Sequence, residues 1–176
     1  MFRLLRFVVW TLTIIAWLPI FTIRNVCAQA TSTNEVRDED QFDDRAVADR
    51  YEQILRSRPQ LGSAFDKLFA FHARQKTTAE LCARLELTAN SSQDGKLFQL
   101  LGLFQLRLGL RVDAVSNLTR AELLLPNEPL TSVYLSRALS ANRQYAAALA
   151  ALKVAAERKP NQAIALEMLK ELRQLE

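Results

Sequence analysis

Two prolines, Pro126 and Pro160, stand 34 residues apart, and the segments that lead to them share one layout. GKLFQLLGLFQLRLGLRVDAVSNLTRAELLLPNE begins at Gly95, and PLTSVYLSRALSANRQYAAALAALKVAAERKPNQ begins at Pro129. Each reads as helix, short turn, helix and closing proline. A fixed period of this length marks stacked supersecondary units, because one short hairpin cannot bury its apolar face until a neighbour covers it. The period therefore predicts an all-α chain built from successive helical pairs.

Within each unit, large apolar positions fill gaps between helices and small ones let helices touch. The first unit has Phe98, the pair Leu101-Gly102, then Ala114, Leu118, Ala121 and Pro126, with Gly109 in the turn. The second has Leu135-Ser136, Ala148, Leu152, Ala155 and Pro160 at the same spacings. This pattern resembles the tetratricopeptide repeat, whose signature is Trp, Leu-Gly and Tyr on the first helix, then Ala, Phe and Pro. The chain departs from it at Gln105 and Leu139, which replace the tyrosine, and at Ser132, which replaces the tryptophan; Ser136 keeps the close-packing position small. The resemblance implies a right-handed helix-turn-helix solenoid.

The flanks are weaker copies. Helical periodicity begins around Arg45, where Val47, Tyr51, Ile54 and Leu55 form an apolar stripe before Pro59. Pro59 and Pro126 are 67 residues apart, one short of two periods, so a degenerate repeat is expected between Gly62 and Asp94. Phe65 and Leu68 lead it, Gln75-Lys76-Thr77 turns it, Leu81, Leu85 and Leu87 face inward from its second helix, and residues 90–95 close it. After Pro160 a last helix is expected to turn Ala163, Leu166, Leu169 and Leu172 inward, with Lys170 and Arg173 giving the polar outer face that a terminal repeat needs. Residues 45–176 thus read as two good repeats, one degenerate repeat and a helix at each end.

The N-terminus reads differently. Arg3 and Arg6 precede an uncharged, mostly apolar run over residues 7–23, and Ala28-Gln29-Ala30 follows. That is the layout of a secretory signal, residues 1–30, or of an uncleaved anchor; both place the remainder outside the cytoplasm, periplasmic or secreted. Setting aside Arg3, Arg6 and Arg24, the basic residues fall from 23 to 20 against 19 acids, so the sequence pI of 9.3 gives no support for a nucleic-acid partner. With Cys27 removed, Cys82 is a lone helical cysteine, read as a small core residue. Residues 31–44, TSTNEVRDEDQFDD, read as an acidic flexible linker without the glycine or ligand spacing of a calcium loop.

Catalytic chemistry is not legible. His72 is the only histidine and lies in FAFHA, a packing context; nucleophile, phosphate-loop and metal motifs are absent, and no cofactor or metal is expected. Glu167 and Glu171, one helical turn apart beside Lys170 and Arg173, read as a solvated face. Asn90 and Asn117 begin glycosylation sequons that matter only in a host that modifies exported proteins. The resemblance points instead to the concave face lined by first helices, where Lys67, Arg74, Lys96, Gln99, Leu103, Arg107, Tyr134 and Arg137 are expected to be exposed. Basic with apolar anchors, that face suits a peptide offering carboxylates and one or two hydrophobic side chains. The asparagines of the family's chaperone-binding carboxylate clamp are missing at the corresponding positions. Helix 97–110, apolar almost all round, reads as central, covered by a flank, or part of a partner groove. The resulting expectation is an exported, non-enzymatic protein-interaction module, or else a membrane-anchored structural part of an envelope assembly.

If Ala28-Gln29-Ala30 is cleaved, N-terminal sequencing of the protein from its host should begin at Thr31. Recovery of intact Met1 in the membrane fraction would select the anchored form instead.

Overall fold

The computed structural model describes residues 44–175; the expected signal or anchor over 1–30 and the acidic run up to residue 43 lie outside the described residues. Among the described residues there are eight helices and no strand: α1 (44–57), α2 (Ser63–Gln75), α3 (Thr78–Ser92), α4 (Gly95–Arg107), α5 (Arg111–Leu124), α6 (Pro129–Ala141), α7 (Tyr145–Glu157) and α8 (Gln162–Leu175). None of them is long and apolar enough to cross a membrane. Each helix from α2 onward packs on the next, most extensively α4 on α5 and α6 on α7, and α8 folds back onto α6.

The turns inside the three hairpins are copies of one another. Thr77 N–H bonds to His72 O, Leu110 N–H to Gln105 O and Gln144 N–H to Leu139 O, each at 2.9 Å. One residue earlier, Lys76, Gly109 and Arg143 bond to Ala73, Leu106 and Ser140. This paired arrangement satisfies the last carbonyls of the first helix and requires a left-handed residue at its end. Lys76, Gly109 and Arg143 supply it with φ of 58°, 79° and 61°. Glycine takes that conformation freely, whereas lysine and arginine hold it only because the flanking helices are packed.

Close helix contact occurs where the small residues stand. A Cβ on Gly102 would lie 2.6 Å from Leu118 Cγ and 3.4 Å from the Ala114 carbonyl oxygen, so α4 and α5 touch through bare backbone. Ser136, 34 residues on, is fully buried, and its hydroxyl has no hydrogen-bond partner. Ala114, Ala121, Ala148 and Ala155 are buried on the second helices, and Phe98, Leu101 and Leu135 on the first. Ser132 keeps the tryptophan position polar because Arg158 fills that space: the hydroxyl donates to Glu122 Oε1 and accepts from Arg158 Nη1, both at 2.6 Å. In the preceding unit the Arg120 guanidinium lies 4.3 Å from the centroid of the Phe98 ring.

Helix α4 is central. Leu97, Phe98, Leu100, Leu101, Leu103 and Phe104 are all buried, and Phe104 meets Phe65 and Phe69 of α2 at centroid distances of 4.8 Å and 6.2 Å. The terminal helices differ from expectation. On α1 the inward face is Ala48, Glu52 and Leu55 with Tyr51 half-buried, while Val47 and Ile54 point outward. On α8 the inward residues are Ile164, Met168, Glu171 and Leu175, whereas Leu166, Leu169 and Leu172 are exposed. The regular repeat offset therefore does not extend to α8. Leu87 is likewise exposed, and α3 continues through Ser92 before the turn.

Gly102→Leu is expected to lower stability by about 1–3 kcal/mol, since the side chain must displace Leu118 and push the helices apart. Ser136→Ala should raise it by about 1 kcal/mol by deleting an unpaired buried hydroxyl. Urea unfolding followed by circular dichroism measures both; an unchanged midpoint for Gly102→Leu would remove the proposed close contact.

Candidate binding face

The side chains expected to line the face of the first helices are brought to one side of the array, but most are already engaged. Gln99, Leu103 and Tyr134, expected to be exposed, are 2%, 1% and 4% exposed. Leu103 belongs to the core because α4 is covered on every side. Gln99 and Tyr134 are buried because the strand of chain between α1 and α2 lies over them: Gln99 Nε2 donates to the Pro59 carbonyl at 2.6 Å, and the Tyr134 hydroxyl accepts from Leu61 N–H at 2.9 Å. The other end of the Gln99 amide accepts from Thr131 Oγ1 at 2.6 Å, so this buried amide is held at both ends. Burial pushes the Tyr134 phenol above its ordinary pKa, with the Leu61 N–H acting in the opposite sense. Nothing in the helical period of α4 or α6 foretells this cover; Pro59, read only as a helix terminator, was its one signal.

Arg137 is half-buried and clamped by α8. Its Nε donates to Glu171 Oε1 at 2.6 Å, Nη2 also contacts Glu171, and Glu167 Oε2 lies 3.4 Å away. Glu171 is 2% exposed and Glu167 partly covered, so they are not the solvated pair that the sequence suggests. Burial opposes the charge on Arg137, but the hydrogen bond and charge of Glu171, with Glu167 behind it, hold its pKa above the ordinary arginine value. Charge reversal at Arg137 would therefore set carboxylates against one another in a buried site, and the expectation that the fold tolerates it does not hold. The sequence does carry a sign of the clamp: Glu171 falls on the stripe Ile164, Met168, Leu175 at helical spacing.

The remaining cations also have neighbours. Lys67 Nζ donates to the Tyr51 hydroxyl at 3.2 Å and sits 5.5 Å from the ring centroid. Arg107 lies 5.5 Å from the Phe69 ring centroid with Asp66 at 3.9 Å, and Arg74 meets Asp44 at 3.2 Å. On the far side of the array Glu52 is buried in α1 between Arg56 at 2.7 Å and Arg84 at 2.6 Å. The two terminal helices thus dock by the same device, an inward glutamate met by an arginine of the array.

One opening persists. A cavity of about 650 Å³ lies between the 57–61 strand, the start of α4, α6 and the start of α8. Gln99 and Tyr134 line it; Arg58 and Lys96 bring positive charge, Glu128 and Glu167 negative, and Leu125, Leu130 and Ile164 an apolar wall. Lys96 is exposed at its mouth, its backbone N–H bound to the Asp94 side chain that caps α4.

Groups elsewhere are satisfied or quiet. His72 shares a 2.8 Å hydrogen bond between Nδ1 and Thr77 Oγ1, and burial, partly countered by Glu52, lowers its pKa. Burial, then the Glu86 charge, raises the Cys82 thiol pKa, which keeps it protonated. Asn117 spends its amide on Gln105 at 2.8 Å, and Asn90 accepts from Arg120 at 2.9 Å. Among the described residues no group of three or more metal-ligating side chains gathers. No family model and no curated protein matches the chain.

Arg137→Ala is expected to cost about 3 kcal/mol by leaving Glu171 buried without a counter-charge, while Arg137→Met combined with Glu171→Leu should stay near the wild type. Equal unfolding midpoints for Arg137→Ala and wild type would remove this pair as the clamp on α8. Acid should loosen the same contact. The Glu167 carboxyl is held below 4.5, first by the Lys170 hydrogen bond and, against burial, by the charges of Lys170 and Arg137. Its folded value lies below its unfolded one, so its contribution is complete above pH 4.5 and is lost as pH falls through the folded value. Unfolding midpoints measured against pH should show that loss, and Glu167→Gln should flatten it.

Proposed function

We propose that this chain is an exported, non-enzymatic interaction module of the tetratricopeptide type, a right-handed solenoid that holds an extended segment of a protein partner on the face of its first helices. The observation that carries the reading is the grip on residues 59–61: Gln99 and Tyr134 bind the main chain of Pro59 and Leu61, a carbonyl and an N–H, rather than side chains. Side chains that read backbone groups suit any extended peptide, and the cavity beside them gives such a peptide room to continue. The three superimposable hairpin turns, with left-handed residues at 76, 109 and 143, support the repeat type.

Arg58 and Lys96 at the cavity favour an acidic side chain in the partner, and Leu125, Leu130 and Ile164 an apolar one next to it. A second reading, a structural component of an envelope assembly held through residues 7–23 and without an exchangeable ligand, draws support from the engagement of Lys67, Arg107 and Arg137 within the chain.

The test begins with a photo-crosslinking amino acid in place of Lys96 in the native host, followed by mass spectrometry of the adduct. Calorimetry with the captured segment then compares wild type with Lys96→Glu. Loss of about tenfold in affinity is expected, along with weakening by added salt, since the pair is partly exposed. Equal affinities would place the contact elsewhere, and absence of any adduct would favour the scaffold.

A further inference from the structure

The hairpin turns themselves form a row that the binding face does not use. Because α3 packs on α4 and α5 on α6, the three hairpins stand side by side, and their matching turns lie along one edge. At its middle is Arg107-Leu108-Gly109-Leu110-Arg111-Val112, exposed at every residue. Leu110 and Val112 are 47% and 70% exposed, and no atom lies within 4 Å of a Cβ placed on Gly109, so this tip stands clear of the array. Lys76 and Arg74 flank it on one side, Arg143 and the exposed Tyr145 on the other.

The charge on the row is one-sided. Against Arg74, Lys76, Arg107, Arg111 and Arg143 stands Asp113, and among the described residues Lys76, Arg111 and Arg143 have no carboxylate within salt-bridge distance. The opposite edge is mixed, with Asp94 beside Lys96, and Glu128 and Glu157 beside Arg158 and Lys159. Folding explains neither the leucines, which bury little there, nor the cations.

We propose that this edge docks onto an anionic lipid surface, with Leu108, Leu110, Val112 and Tyr145 entering the headgroup boundary and Lys76, Arg111 and Arg143 meeting phosphates. A protruding apolar tip with cations on its shoulders fits a bilayer, whose surface yields around it, and long arginine stems keep their heads at phosphate depth. A peptide partner would need a groove, and the tip offers none. Each cation near such a surface strengthens binding roughly fivefold, and the apolar side chains add to it.

Hydrogen exchange of the full chain, read by mass spectrometry, tests this region by region, so that the apolar run over residues 7–23, which enters any vesicle, does not obscure the edge. The first-turn amides of α5 and α7 lack intrahelical acceptors and report directly. Vesicles of phosphatidylglycerol and phosphatidylcholine in about equal parts should slow exchange at residues 107–113 and 143–147, and vesicles of phosphatidylcholine alone should not. Arg111→Gln with Arg143→Gln should reduce the ratio of docked to free edge about 30-fold, the loss of two cations. Leu110→Ser with Val112→Ser, also at exposed sites, should weaken docking without changing the circular dichroism spectrum. Equal exchange with the two vesicle types, or protection that survives both double variants, overturns the proposal. Protection of this edge by an acidic protein from the host but not by anionic vesicles overturns it in favour of a protein contact.

Discussion

Everything in this array follows from the need to cover α4. Its apolar side chains run round the whole circumference, so no single neighbour can remove them from water, and burying side chains of this size contributes roughly 1.5–3 kcal/mol each. Helix α5 takes one side at backbone contact through Gly102, α3 a second, and the α2 phenylalanines meet Phe104 on another. Where Gln99 interrupts the apolar surface, the 57–61 strand crosses to satisfy it. A helix of this kind can exist only inside an array, and the array is ordered around it.

The outer helices obey a different rule. Glu52 on α1 and Glu171 on α8 each replace an apolar residue on the inward stripe and each meets an arginine, Arg84 or Arg137. A buried ion pair adds little net stability compared with a packed apolar pair, but it penalises every arrangement that leaves the carboxylate alone. That matters for α8, which has apolar residues on two faces: Ile164, Met168 and Leu175 on one, Leu166, Leu169 and Leu172 on the other. Hydrophobicity does not choose between them. Pairing of Glu171 with Arg137 does, and it closes the part of the binding face where an acidic ligand was expected.

These two rules explain which parts were legible. In the central units the close-packing residues are small for a steric reason, so Gly102, Ser136, Ala114 and Ala148 could be aligned by spacing and are all buried. The terminal helices are docked by charge, which leaves no period, and extending the regular offset to α8 turned it to the wrong face. The candidate face was legible as a set of positions: Lys67, Lys96, Gln99, Arg107, Tyr134 and Arg137 do come to one side. Their accessibility was not, because it depends on the Pro59–Leu61 main chain and on α8, both distant in sequence from the residues they cover.

The sequence alone determined the all-α class, the helical pairs, the contact at Gly102 and the turn at Gly109, since each is a local or periodic demand written in residue size and backbone freedom. Only the tertiary structure decided that Lys76 and Arg143 adopt the left-handed conformation of Gly109, because packing of the flanking helices overrides their own preference. It likewise decided that Gln99, Leu103 and Tyr134 are buried and that Lys96 stands at an open cavity. Spacing along a helix states which side chains share a face, whereas what covers that face is settled by chain that returns from far away.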